Sequence, residues 1–210
     1  KILGEECREY GIDVLLAPGV NMMRNPLCGR NYEYFSEDPL LAGKMSAAMV
    51  NGVESEGVGA CPKHFAVNNQ ELNRLHNDAR VSQRALREIY LKNFEITVKE
   101  SQPWMIMTSY NNINGRHASE DRGLLETILR DEWGFEGIVV TDWGGGYDAA
   151  KQIWAGNDLI EPGRYAEVKR IVEAVKSGEL AESDLDRSVK RVLELVVKSI
   201  RHKGYKFSNN

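Results

Sequence analysis

Cysteine is scarce, and the few present do not pair by spacing: the 210-residue chain has three, Cys7, Cys28 and Cys61, with no Cys-x-x-Cys. That pattern argues against a disulfide framework and a structural zinc site, leaving buried thiols as the expectation and one pairing between loops as the alternative. Positive charge is not in excess. The formal net charge is −4 with acids and bases interleaved, so no cationic face offers itself to nucleic acid or anionic lipid. No stretch approaches the roughly 20 apolar residues of a membrane-spanning helix. A signal-peptide pattern and a starting Met are also missing, and the compartment stays open. The opening KILGEECREYG reads as the last turns of an amphipathic helix closed by Gly11, so upstream sequence is expected. His64, His76 and His117 form no i, i+4 pair and no ligand triplet, so neither metal nor cofactor is expected.

What is there is an ordinary globular composition, 42% apolar and 28% charged, with length enough for one sizeable core. Five short apolar runs alternate with longer stretches of helical period, the pattern of βα units around a parallel sheet. They are IDVLLAP from Ile12, VGACPKHF from Val58, PWMIMTSY from Pro103, GIVVTDW from Gly137 and the weaker GNDLIEPG from Gly156. VLLA, MIM and IVV are continuously apolar, as strands buried on both faces should be. Ser82 is placed to cap a helix over QRALREIYLKNFEITVKE, with Leu86, Ile89, Tyr90 and Phe94 on one face, and Asp121 to cap RGLLETILRDEWG, stopped by Gly134. Further helices are expected from Pro39, Arg164 and Glu182.

Such units build an open doubly wound sheet or a closed barrel. The G-x-G-x-x-G of a dinucleotide site does not follow the first strand, which favours an α/β fold of the (β/α)8 TIM-barrel type. A complete barrel has eight units in about 250 residues, so this is expected as a partial barrel of about five βα units. It should occupy residues 1–203, with 204–210 as the start of a linker.

Barrel chemistry sits where strands end. After the first comes the long NMMRNPLCGRNYEYFSEDP, with Arg24, Arg30, Glu33 and Asp38. The second ends in Lys63 and His64, the third in Tyr110 and Asn111, the fourth in Asp142 and Trp143, and the fifth carries Asp158 and Glu161. Each has a structural alternative: Asp142 capping the next helix, Arg30 paired with Glu37 or Asp38, Trp143 and Trp104 filling core. Together they suit a sugar pocket, in which cations and His donate to hydroxyls, an indole stacks on a pyranose, and a carboxylate kept ionised by Arg or Lys attacks an oxocarbenium-like centre.

The stretches GRNYEYFSEDP, KHFAVNNQE, MTSYNNING, ILRDEWGFEGIVVTDWG and AGNDLIEPG, in this order, resemble the barrel domain of glycoside hydrolase family 3, particularly its β-glucosidase branch. The resemblance implies a retaining enzyme that removes terminal β-D-glucosyl, and as a second substrate β-xylosyl, residues from a β-glucoside or short β-linked oligosaccharide. It makes Asp142 the nucleophile, places Arg30, Lys63 and His64 on hydroxyls of the −1 sugar, Tyr110 near the nucleophile and Trp143 in the subsite wall, and gives Glu71 and Arg74 a supporting role. It further implies that the acid/base Glu comes from a C-terminal α/β sandwich domain and that an early substrate-binding Asp precedes Lys1. KHFAVNNQE departs from the KHFPGHG of the N-acetylglucosaminidase branch. The alternative reading is a non-catalytic sugar-binding scaffold, because this stretch carries only one of the two carboxylates.

Overall fold

A computed structural model of the chain describes residues 1–199 and 201–204, so the expected linker, apart from Gly204, lies outside the described residues. Five strand positions lie side by side, parallel and in chain order. β1 (Val14–Leu15) pairs with β2 (Gly59–Ala60); β3 (Lys63–Phe65) pairs with β5 (Met105–Thr108), and β5 with β8 (Ile138–Thr141). Parallel bridges Gly19↔Lys63 and Val140↔Leu159 extend the order at either side. A doubly wound sheet would reverse its order at a switch point; this one does not, so the chain is an arc of a (β/α) barrel.

The central strands are buried on both faces, as their continuous apolar sequence requires. Ile106 and Val139 face a core shared with Phe65, Phe94, Leu125 and Leu129. Met105, Met107, Ile138 and Val140 face the other way, with Cys61 and with Leu195 of α7 (Glu182–Lys198). Each such side chain contributes about 1.5–3 kcal/mol on full burial. The cysteines are buried and unpaired.

Helix starts follow their capping residues. Asp38 accepts from Leu40 N at 2.8 Å and opens α2 (Pro39–Glu54). Ser82 accepts from Ala85 N at 3.2 Å and opens α3 (Gln83–Ala85), which continues through a π-wound turn, Leu86–Tyr90, into α4 (Lys92–Ser101). Asp121 accepts from Gly123 N at 2.9 Å before the π-wound helix Gly123–Glu132. The chain opens on α1 (Ile2–Glu9), and α6 (Tyr165–Ser177) ends at Gly178.

Several expectations need correction. VLLA is not buried on both faces: β1 is paired on one side only, and Leu16 is 42% exposed. The second run is two short strands, because Pro62 between them has no N–H to give a ladder. A short helix not anticipated, α5 (Ala149–Ala155), is capped by Asp148, not by Asp142. A small sheet of β4 (Asp78–Ala79), β6 (Asn112–Ile113) and β7 (Arg116–His117) was also unforeseen. Among the described residues no helix is long and apolar enough to cross a membrane.

Candidate active site

Asp142 follows the last residue of β8, at the end where the strands hand over to their loops. Its Oδ1 accepts from Trp143 N at 2.7 Å, and its Oδ2 lies 3.5 Å from His64 Nε2. His64 arrives on β3 and is 1% exposed. Its backbone is fixed from both sides by Asn21, which donates to His64 O and accepts from His64 N, each at 2.8 Å. Burial first, then the positive charges of Arg30, Lys63 and Arg74, hold the His64 pKa well below the usual imidazole range. The ring is therefore neutral. Two acceptors face the ring, Asp142 Oδ2 at 3.5 Å from Nε2 and Asn21 Oδ1 at 3.3 Å from Nδ1, and compete for its one N–H; the Tyr34 hydroxyl also lies 3.5 Å from Nδ1. Burial holds that phenol protonated by raising its pKa.

Arg30 and Lys63 meet at Glu33 rather than at Asp142. Arg30 Nε donates to Glu33 Oε1, and Lys63 Nζ lies 3.7 Å from Oε2. Neither Glu37 nor Asp38 takes Arg30, because the 3-10 turn Asn31–Glu33 brings Glu33 back over it. Burial opposes the Arg30 charge, but the hydrogen bond to Glu33 and the nearby Tyr34 and Glu71 outweigh it and raise its pKa. The ion pair expected to keep Asp142 ionised is thus made elsewhere, and the carboxylate keeps acceptor capacity.

Tyr110 donates to Trp143 O at 2.9 Å. Burial, then the adjacent Asp142 carboxylate, push its phenol up to about 12. Arg74, held by Glu71 at 3.0 Å, lies over the Tyr110 ring, 5.0 Å from its centre. Trp143 is 60% exposed and so is not core filling. Trp104 lies at the opposite end of the strands, where it lines a cavity of about 460 Å³ with Asp13, Val14 and Leu195, away from Asp142.

Arg30, Lys63, His64, Tyr110, Asp142 and Trp143 are therefore gathered at one end of the arc. Asn21 and Tyr34, which orient His64, and Glu33, which links two cations, were not assigned from sequence. In the sequence Glu33 shows only as one acid of a long loop. The loop folds back because Gly19 lets Tyr34 approach: a Cβ there would sit 2.9 Å from the Tyr34 ring. No group of His, Cys, Asp or Glu fit to hold a metal ion is found among the described residues.

Comparison with known proteins gives the family. The model of the glycosyl hydrolase family 3 N-terminal domain matches residues 1–195. Thermostable beta-glucosidase B of Acetivibrio thermocellus is 49% identical over 202 residues, 96% of this chain and 27% of that protein. An exo-alpha-(1->6)-L-arabinopyranosidase of Bifidobacterium breve is 51% identical over 94% of this chain and 26% of its own length. Among solved structures, beta-glucosidase 3B from Thermotoga neapolitana in complex with glucose superposes with a TM-score of 0.96 at 53% identity, covering 99% of this chain and 30% of that one. The chain thus spans about a quarter to a third of the proteins it matches, and it belongs to glycosyl hydrolase family 3.

Proposed function

We propose that the protein carrying this chain is a retaining β-glucosidase that removes terminal β-D-glucosyl residues by double displacement. Asp142 attacks the anomeric carbon, the glycosidic bond breaks, and the leaving oxygen takes a proton from an acid/base carboxyl. The same carboxyl then draws a proton from water, which displaces Asp142 and releases the sugar with its configuration retained. Retention calls for about 5–5.5 Å between the two carboxyls. The acid/base group is assigned to a Glu of a following α/β sandwich domain. Arg30, Lys63 and neutral His64 donate to hydroxyls of the bound sugar, Tyr110 keeps its proton beside the nucleophile, and Trp143 walls the subsite.

The observation that carries this reading is a carboxylate short of protein partners. Asp142 meets one main-chain amide, a neutral imidazole and a phenol, while Arg30 and Lys63 are engaged by Glu33. A nucleophile needs that freedom, since an ion pair would hold its charge in the ground state. In the intact protein, Asp142→Ala is expected to lower hydrolysis of an aryl β-glucoside on the order of 10⁴-fold or more. A 2-fluoro glucoside should label Asp142 in the wild type. Wild-type rates in the variant overturn the assignment, and reversible sugar binding without labelling supports a non-catalytic scaffold. The relative named an arabinopyranosidase favours a pentopyranosyl substrate as the second reading, and relative kcat/KM on aryl β-glucoside, β-xyloside and α-L-arabinopyranoside separates the two.

A further inference from the structure

Among the described residues, three cations and three carboxylates gather at the strand ends: Arg30, Lys63 and Arg74 against Glu33, Glu71 and Asp142. Their pairing is uneven. Arg74 takes Glu71 at 3.0 Å, whereas Arg30 and Lys63 share Glu33, Arg30 Nε donating to Oε1 and Lys63 Nζ lying 3.7 Å from Oε2. The Arg30, Glu33 and Lys63 side chains are each four-fifths buried or more, so water screens these contacts less than those of a surface pair. Asp142 takes neither cation, although both stand close. Arg30 and Lys63 act on the His64 ring, 3.5 Å from Asp142 Oδ2, and Arg30 also acts on the Tyr110 phenol that faces the same carboxylate.

The local chain explains how Glu33 reaches both. It closes the 3-10 turn that follows Arg30, and Glu33 N donates to Arg30 O at 3.1 Å, which brings the carboxylate back to the guanidinium. Lys63 arrives on β3, where Val20 N, at the root of the same loop, donates to Lys63 O at 2.7 Å. Gly19 permits the close approach, since a Cβ there would sit 2.9 Å from Glu33 O. Asn31 Nδ2 fastens the turn to Asn25 O at 2.8 Å. Without the Glu33 charge, two cations lack their carboxylate, Glu71 stays committed to Arg74, and Asp142 has the acceptor capacity to take one of them.

We propose that Glu33 is a positioning residue that withholds Arg30 and Lys63 from Asp142, leaving the nucleophile unpaired and both cations aimed at the sugar hydroxyls. This rests on the glycosidase reading and adds to it the group that keeps the nucleophile free.

The test uses the intact protein with Glu33→Gln, which keeps the shape and loses the charge, and Glu33→Asp, which keeps the charge on a shorter stem. In Glu33→Gln, kcat for an aryl β-glucoside should fall about 10- to 100-fold, the size of one charge-assisted hydrogen bond that must break before Asp142 attacks. KM should change less than about threefold. The acid limb of the kcat/KM profile should move to lower pH by about half a pH unit or more, because a cation turned onto the nucleophile favours its charged form. A crystal structure of the variant should show Arg30 or Lys63 within about 4 Å of an Asp142 oxygen. Glu33→Asp, still able to hold one cation, should fall between wild type and Glu33→Gln in both kcat and acid limb. An acid limb unmoved in Glu33→Gln, or a Glu33→Asp variant as impaired as Glu33→Gln, overturns the proposal. Should Glu33→Gln not fold, the acid limb of Glu33→Asp decides, displacement to lower pH upholding the proposal and a wild-type position overturning it. Absence of any glycosidase activity in the wild type instead defeats the functional reading, and the crystal structure of Glu33→Gln then decides the role of Glu33: cations turned to Asp142 uphold it, and cations left in place overturn it.

Discussion

Asp142 and Asp158 are carboxylates of neighbouring strand positions in one sheet, and their surroundings are opposite. Asp158 has a fully buried side chain: Oδ2 accepts from Arg130 at 2.7 Å and Val139 N at 2.9 Å, and Oδ1 from Arg191 at 3.0 Å. Asp142 is 16% exposed in its side chain and faces uncharged groups apart from its neighbours' distant fields. A carboxylate with its lone pairs spent on guanidinium and amide donors is part of the framework, and one with lone pairs left over is available to a substrate. Burial alone would have picked the wrong aspartate.

Removing each side chain should therefore separate stability from activity. Asp158→Ala takes from Arg130 and Arg191 their nearer carboxylate and leaves only Glu126, at 3.9 and 3.5 Å, in a site where burial already lowers the Arg130 pKa to about 10. The expected loss is about 3–5 kcal/mol in urea unfolding, the range for breaking a buried pair by removing one partner. Asp142→Ala leaves no cation unpaired and should shift stability by less than about 1 kcal/mol, with its whole effect on turnover. Similar unfolding midpoints for the two variants would erase the distinction between framework and reactive carboxylates.

How far the sequence revealed this contrast depends on what each residue does. Ile138–Thr141 and Met105–Thr108 were readable because burial on both faces leaves a continuous apolar run. The polar residues at their ends were readable because a barrel directs them to one rim. The hairpin of β6 and β7 was not: its strands are two residues each and largely polar, and no apolar period marks Asn112–Ile113 or Arg116–His117. Asn21 was invisible for another reason, since its task is to hold the His64 backbone, 43 residues away in sequence, and only the fold brings the two together. Leu16 misled because its burial depends on whether a strand lies alongside β1, which no local pattern states.

Glu54 gives the comparison its finest test, because it lies between the two extremes. At the opposite end of the strands from Asp142, its Oε1 accepts from Trp104 N at 2.9 Å and Ala60 N at 3.1 Å, tying the starts of two strands to α2. Its two hydrogen-bond donors are main-chain amides. Burial raises its pKa from 4.5 to about 7, with the two amides and Lys198 only partly opposing. Because the folded state favours the protonated form, its contribution is complete below the ordinary carboxylate pKa and is lost as pH rises through 7. Glu54→Gln keeps an acceptor for both amides and cannot ionise. Variant and wild type should unfold alike in urea at pH 4. At pH 8 the variant should be the more stable by roughly 1–2 kcal/mol, less than the full linkage value because the site is partly open to water. Equal midpoints at both pH values would mean that two amides satisfy this charge as fully as the arginines satisfy Asp158, and filled acceptor capacity would then not rank the carboxylates of this fold.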